Sequence, residues 1–203
     1  MLALLGSSPT IIEIGAHIGT DTYEFAYLFP DGRVISFEPH PELFCLASRY
    51  VSKFKNVSLV PAALGDESGF AVFHQSSGES DGSGSLLKAT DWTTMYPKIY
   101  FRESDQVIVP VSTLDNYLEN TSISDIDLIW IDVQGYELRV LRGAVRALEN
   151  TKFVYCEVAE NPEYEGAATY SEIKSFLATF DLHPLKEFLP VAWHGGGNVL
   201  FGR

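Results

Sequence analysis

The chain has 203 residues, of which 46% are hydrophobic, 13% aromatic and 20% charged. Those proportions describe one globular domain and exclude a disordered or fibrous chain. Lys and Arg number 14 against 27 Asp and Glu, a net charge of −13 at pH 7; a chain of that sign repels phosphate backbones, so neither nucleic acid nor an anionic membrane is an expected partner.

No apolar run approaches the ~20 residues that cross a bilayer. The apolar opening lacks the basic flank of a secretory leader, so a cytoplasmic protein is expected. Cys45 and Cys156 lie far apart, each within an apolar run, and are expected to be two buried, reduced thiols.

Residues 10–38 read as a βαβ unit. A β-branched run (Ile11, Ile12, Ile14) leads into a glycine-spaced turn, a helical stretch through Phe29, the breaker Pro30-Asp31-Gly32 and a second run, Val34 to Phe37. Pro41 can open the next helix, whose apolar face is Leu43, Leu46, Ala47, Tyr50, Val51 and Phe54. A third strand is expected at 57–60. Leu128 to Val133 form a fourth, apolar on both faces, followed by a helix with the stripe Leu138, Leu141, Val145 and Leu148. Phe153 to Val158 read as a fifth strand. Thr169 and Glu172 have the spacing of a capping box ahead of Ile173, Phe176, Leu177 and Phe180. Short strands near Leu185 and from Asn198 to Phe201 bring the total to seven.

Alternating strands and helices imply a doubly wound α/β fold, a mainly parallel sheet covered on both faces. A single domain over 1–203 is expected. Residues 75–106 interrupt the alternation: a Gly/Ser tract runs into Trp92, Met95, Tyr96, Tyr100 and Phe101 between two apolar runs, 70–73 and 107–109. An excursion of that length reads as a lid or substrate wall, or as a merely structural insertion.

In such a sheet a ligand sits at the carboxyl ends of the strands, where glycines let backbone approach it. The first turn, Glu13-Ile14-Gly15-Ala16-His17-Ile18-Gly19, fits the nicotinamide pattern G-x-G-x-x-G poorly. It fits the adenosyl-type pattern, acidic-x-G-x-G-x-G, at every position except His17. Glu13, Gly15, His17 and Gly19 are therefore candidate cofactor contacts. Glu38, closing the second strand just before Pro39, is placed to accept both hydroxyls of a ribose. Dinucleotide enzymes use the same device, so an oxidoreductase is the alternative, and a non-catalytic nucleoside-binding scaffold is another.

These segments, with Phe37-Glu38-Pro39, Ala62-Ala63-Leu64-Gly65-Asp66, Ser112-Thr113-Leu114-Asp115 and Ile131-Asp132-Val133-Gln134-Gly135-Tyr136-Glu137 followed by Leu141-Arg142-Gly143-Ala144, occur in an order that resembles the FkbM family of S-adenosylmethionine-dependent methyltransferases. The resemblance implies a class I methyltransferase fold and S-adenosylmethionine as methyl donor, leaving S-adenosylhomocysteine. It further implies O-methylation of a sugar, glycan or natural-product hydroxyl, and Pro39 and Ala63 as further cofactor contacts. His17 departs from the family, which commonly has Asn there.

On that reading Asp132, at the end of the fourth strand beside the switch point, lies next to the sulfonium and the incoming hydroxyl as base, orienter or metal ligand. Glu157 closes the fifth strand; if the fourth and fifth strands are neighbours, their backbones lie about 4.8 Å apart and the two carboxyls can share a proton or a divalent cation. Glu137 at a helix start complements the dipole. His194, before a run of glycines, is a candidate general base or a turn residue. Gly78-Glu79-Ser80-Asp81-Gly82 matches the hydrolase elbow G-x-S-x-G, with Asp115 and His194 following in order, but it lacks the strand and helix that an elbow requires.

Overall fold

The computed structural model describes residues 2–90, 96–161, 163–188 and 196–203. The βαβ expectation holds: β1 (Thr10–Ile14), α1 (Thr20–Leu28) and β2 (Arg33–Phe37) precede α2 (Pro41–Tyr50) and β3 (Val57–Val60). Later come β9 (Ile126–Ile131), β10 (Thr151–Ala159), α6 (Tyr170–Ala178), β11 (His183–Phe188) and β12 (Gly196–Gly202). These strands form a seven-stranded sheet in the order β3-β2-β1-β9-β10-β12-β11, in which only β12 runs antiparallel to its neighbours. The order reverses between β1 and β9, which places the switch point where the glycine turn and Asp132 emerge.

Both faces of the central strands are dry, which is why they read as continuous apolar runs rather than alternating ones. Ile12, Ile14, Ile129 and Ile131 pack into the larger core with Ile173 and Leu177 of α6, and Ile11 and Leu128 face the other way, against Phe25 and Ala26 of α1. The capping box of α6 is present, with the Thr169 hydroxyl accepting from the Glu172 amide and the Glu172 carboxylate accepting from the Thr169 amide.

A second, three-stranded sheet was not legible beforehand. It joins β4 (Ala63–Leu64), β5 (Gly69–His74) and β8 (Gln106–Ser112) in the order β4-β8-β5 over a small core of Ala63, Phe73 and Val109. Between β5 and β8 the described residues 75–90 and 96–105 include the short ribbon of β6 (Ser77–Gly78) with β7 (Ile99–Tyr100).

Three expectations are corrected. The helix after the fourth strand is two, α4 (Glu137–Arg142) and α5 (Val145–Glu149), with α3 (Leu114–Glu119) packed against α5. The chain breaks at Gly143, where a Cβ would lie 1.9 Å from the Gly65 carbonyl oxygen. The Asp115 amide donates to the Gly143 carbonyl at 3.0 Å. Val145 is consequently exposed. On α2 only Leu43 and Ala47 are buried, and Leu46 and Tyr50 face solvent. Cys45, on the same helix, is exposed and free, whereas Cys156 is buried.

Candidate active site

The turn after β1 is shaped by left-handed backbone at Gly15 (φ +95°), His17 (φ +51°) and Gly19 (φ +85°). Side chains other than glycine adopt that region at a cost, which is why glycine dominates the turn. A Cβ on Gly15 would sit 1.9 Å from the Asp132 carbonyl oxygen, so glycine is what allows the ends of β1 and β9 to meet. The Asp132 amide donates to the Ile14 carbonyl there at 3.0 Å.

Beyond this junction lies a cleft of about 650 Å³ counted with its open mouth. Gly15, His17, Glu38, Pro39 and Ala63 line it with Asp132 and Gln134, and Leu43, Ala62 and Phe73 supply apolar wall. Five of the seven sequence-derived cofactor candidates thus share one cleft.

The other two do not. Glu13 is 1% exposed and turns under the turn, where its carboxyl accepts hydrogen bonds from the Thr22 and Ser36 hydroxyls. It braces α1 and β2 behind the cleft. Gly19 starts α1 without lining the cleft; a Cβ there would meet Ala47 Cβ at 3.2 Å, so its smallness lets α1 pack on α2.

Glu38 is 3% exposed and accepts the His17 amide at 2.7 Å and the His40 amide at 2.8 Å. A carboxylate offers about four lone-pair sites, so both oxygens retain capacity for a ribose hydroxyl. We expect Glu38→Ala to weaken S-adenosylhomocysteine binding by about 1 to 3 kcal/mol in calorimetric titration, the cost of unmaking charge-assisted hydrogen bonds. Unchanged affinity removes Glu38 from the site.

Asp132 and Glu157 come together as expected of adjacent strands, since Ile131 pairs with Cys156 in the β9–β10 register. The link between them is Gln134, to which no role was attached beforehand. Its amide nitrogen donates one hydrogen to Asp132 Oδ1 and one to Glu157 Oε2, both at 2.7 Å. Its carbonyl oxygen lies 3.1 Å from the Tyr164 hydroxyl, which is 2.8 Å from the Ser83 carbonyl. Gln134 occupies left-handed backbone (φ +55°) before Gly135 (φ +95°), which turns its side chain back over the strand ends. Tyr164 carried no signal in the sequence, because its contact spans 30 residues.

Burial, then the charge of Asp132, pushes the Glu157 carboxyl up to about 9. At neutral pH the pair therefore holds Glu157 protonated. Glu137 is buried and serves structure, accepting the Val133 amide at 3.3 Å and the Gly135 amide at 3.0 Å. Burial raises it to about 7.

Asp81, Gly82, Gly84 and Leu86 bring the 75–106 excursion onto the cleft. His17 Nε2 lies 3.2 Å from Asp81 Oδ1, an ion pair when the imidazole is protonated. Ser80 sits among loop residues with its hydroxyl 3.1 Å from that of Ser83, and Asp115 caps α5 by accepting the Arg146 and Ala147 amides. The hydrolase elbow is thereby set aside. His194, Trp92 and Met95 lie outside the described residues. Among the described residues no three His, Cys, Asp or Glu side chains gather as a metal site, and no helix is long and apolar enough to cross a membrane.

Glu13, like Glu38, is held near 7 by burial. A carboxyl raised in the folded state binds a proton that the unfolded chain has already released, so its contribution to stability is lost as pH rises from about 4.5 to 7. We expect the denaturation midpoint to fall between pH 5 and pH 8 and Glu13→Gln to flatten that slope. An equally steep profile for the variant means that Glu13 is not a source of it.

A sheet reversed at β1/β9 with an antiparallel penultimate strand, a glycine turn on β1 and a buried carboxylate closing β2 define the class I, nucleoside-binding methyltransferase architecture. The comparisons agree. The Methyltransferase FkbM domain model matches residues 13–184, and the chain belongs to that family of S-adenosylmethionine-dependent methyltransferases. The 2-O-methyltransferase NoeI of Sinorhizobium fredii is 30% identical over 179 residues, 86% of this chain and 73% of that protein. Among solved structures, the FkbM methyltransferase of Methylobacillus flagellatus superposes with a TM-score of 0.62 at 15% identity, covering 99% of this chain. This chain spans only 45% of that one. Aeropyrum pernix fibrillarin with natively bound S-adenosyl-L-methionine gives a TM-score of 0.56 at 11% identity, over 97% of this chain and 68% of its own. Both likenesses concern the fold.

Proposed function

We propose that the protein transfers the methyl group of S-adenosylmethionine to a hydroxyl oxygen of a neutral sugar, glycan or related natural product, with Asp132 receiving the hydroxyl proton. The observation that carries this reading is the position of Asp132, which lines the cofactor cleft and is held by Gln134 beside a Glu157 that keeps its own proton. One charged and one neutral carboxyl at the same junction divide the work of taking and holding a proton.

The chain's residues fit the cofactor. The Gly15 turn leaves room for backbone to approach it, Glu38 offers acceptor oxygens to ribose hydroxyls, and the Leu43, Ala62 and Phe73 wall suits a purine face. Bound S-adenosylmethionine supplies an electrophilic methyl group on a sulfonium. The remaining service of the protein is alignment, because displacement requires the acceptor oxygen about 3 Å from the methyl carbon and in line with the bond that breaks. Gln134 fixes Asp132 for that purpose, and Tyr164 ties Gln134 to the excursion that reaches over the cleft. We read residues 75–106 as the wall that closes on the bound cofactor. The name of NoeI, a 2-O-methyltransferase, supports oxygen as acceptor, and the net charge of −13 favours a neutral acceptor over a polyanion such as RNA.

The test is to incubate the protein with S-adenosylmethionine and a panel of neutral methyl glycosides, following S-adenosylhomocysteine and the methyl ether by mass spectrometry. Equal amounts of the two products support the reading. Methylation confined to RNA or to nitrogen atoms, or binding of NAD⁺ in preference to S-adenosylmethionine, overturns it.

A further inference from the structure

The sheet register places a second set of side chains beside Asp132, on the face away from α6. Trp130 pairs with Tyr155, Tyr155 with Leu200, Glu157 with Asn198, and Asn198 with Phe188. Directly paired residues share a face. Two rows therefore cross the α1 side of the sheet: Trp130, Tyr155 and Leu200 form the inner row, and Glu157, Asn198 and Phe188 the outer row, where Gln134 ties Glu157 to Asp132.

The inner row is apolar and, at Trp130 and Tyr155, aromatic. Trp130 and Tyr155 stack with centroids 4.0 Å apart and planes 23° apart, and Tyr155 meets Phe188 at 6.0 Å. Phe25 of α1 covers the Trp130 end at 5.3 Å. Towards β11 the row continues through Leu200, which is buried, and α6 does not cover this face, because it packs Ile173 and Leu177 into the opposite core with Val199 and Phe201. Trp130 and Tyr155 are accordingly only half-buried and Phe188 is 38% exposed. The Tyr155 hydroxyl has no hydrogen-bond partner among the described residues. Lys186 closes the far end, its ammonium 4.6 Å above the Phe188 ring.

An apolar floor rimmed by a few convergent polar groups is the ordinary construction of a small-molecule site. The rim here is a carboxylate, a protonated carboxyl, a carboxamide and a phenol, a set that both donates to and accepts from adjacent hydroxyls. Aromatic rings beneath it suit the C–H surface of a saturated ring. Asp21 of α1 adds its charge to that of Asp132 around Tyr155, which repels an anionic group at the reacting position.

The geometry points to the trough formed by Trp130, Tyr155, Asn198 and Phe188 as the acceptor subsite, holding the ring of a neutral sugar so that one hydroxyl meets Asp132 across from the cofactor cleft. Asp132 adjoins both, since it lines the cleft and is tied through Gln134 to Glu157 of the outer row. The inference rests on the hydroxyl-acceptor reading above. It adds where the ring lies and which residues select it.

The experiment uses the full chain saturated with S-adenosylhomocysteine for binding, and S-adenosylmethionine for turnover, with methyl α-D-glucopyranoside and methyl α-L-fucopyranoside as probes. Tyr155→Phe, Asn198→Ala and Phe188→Ala are compared with wild type and with Phe70→Ala, an exposed position on the second sheet. Trough variants are expected to raise KM for the glycoside, and to weaken its saturation-transfer NMR signal, by about three- to tenfold each. Affinity for S-adenosylhomocysteine and the denaturation midpoint stay with the Phe70→Ala control. Because Tyr155→Phe keeps the ring and Asn198 lies at a strand end, the comparison does not depend on Phe188→Ala folding well. If the glycosides are methylated with KM unchanged in all three variants, the subsite is wrong and the hydroxyl-acceptor reading stands. If no glycoside binds or is methylated while S-adenosylhomocysteine binds, both fall together.

Discussion

Asp132→Asn is expected to slow methyl transfer about a hundred- to ten-thousand-fold, the usual contribution of a positioned proton acceptor, while S-adenosylhomocysteine affinity stays within about threefold. The substitution is close to isosteric, and the Asn carbonyl oxygen can still accept the hydrogen bond that Gln134 gives to Asp132 Oδ1 at 2.7 Å. Geometry is retained, and what is lost is the charge and the capacity to bind a proton. Glu157→Gln should cost less at pH 7, since Gln resembles a carboxyl that burial and Asp132 keep protonated up to about pH 9. Single-turnover rates with saturating cofactor separate the two variants from effects on binding. Normal turnover in Asp132→Asn removes Asp132 as the proton acceptor, and a larger loss in Glu157→Gln transfers that role to its neighbour.

The division of labour between these carboxyls marks how far the chain could be read without coordinates. Strand existence followed from β-branched runs and turn signals, because a parallel sheet buried on both faces writes itself as uninterrupted apolar segments. Asp132 and Glu157 could be set side by side only on the condition that the fourth and fifth strands are neighbours, which the β9–β10 pairing meets, although β10 runs on past Glu157 to Ala159. Direction was harder to read. Glu13 lies in the right motif position, but the alternation of side chains along β1 sends it under α1, towards Thr22 and Ser36, and not into the cleft. Spacing records that a glycine is needed and not what approaches it: Gly15 is required by the Asp132 carbonyl, Gly19 by Ala47 and Gly143 by Gly65. Nor does local pattern disclose contacts between distant segments. Gln134 was visible inside a motif, but its function depends on Tyr164, 30 residues on, and through it on Ser83 in the excursion. The two-residue strand β4 was too short to carry a period, so the second sheet escaped notice.

Gly15→Ala should be the most damaging small substitution in the molecule. Alanine at φ +95° carries the strain of left-handed backbone, about 1 to 3 kcal/mol. Its methyl group would meet the Asp132 carbonyl oxygen at 1.9 Å and the carbonyl carbon at 3.0 Å, neither of which is a flexible side-chain end. Relief requires the ends of β1 and β9 to part, breaking the bond from the Asp132 amide to the Ile14 carbonyl, with overpacking adding about another 1 to 3 kcal/mol. Both halves of the site move at once, because the same junction carries the cofactor turn on one strand and the proton acceptor on the other. Chemical denaturation should therefore report a loss of about 2 to 6 kcal/mol, and calorimetry should report S-adenosylhomocysteine binding weakened beyond about a hundredfold. Gly69→Ala is the matched control, since a Cβ there meets nothing within 4 Å and the backbone is not left-handed. If Gly15→Ala behaves like that control in both measurements, the close approach of β1 to Asp132 is not what shapes the cleft.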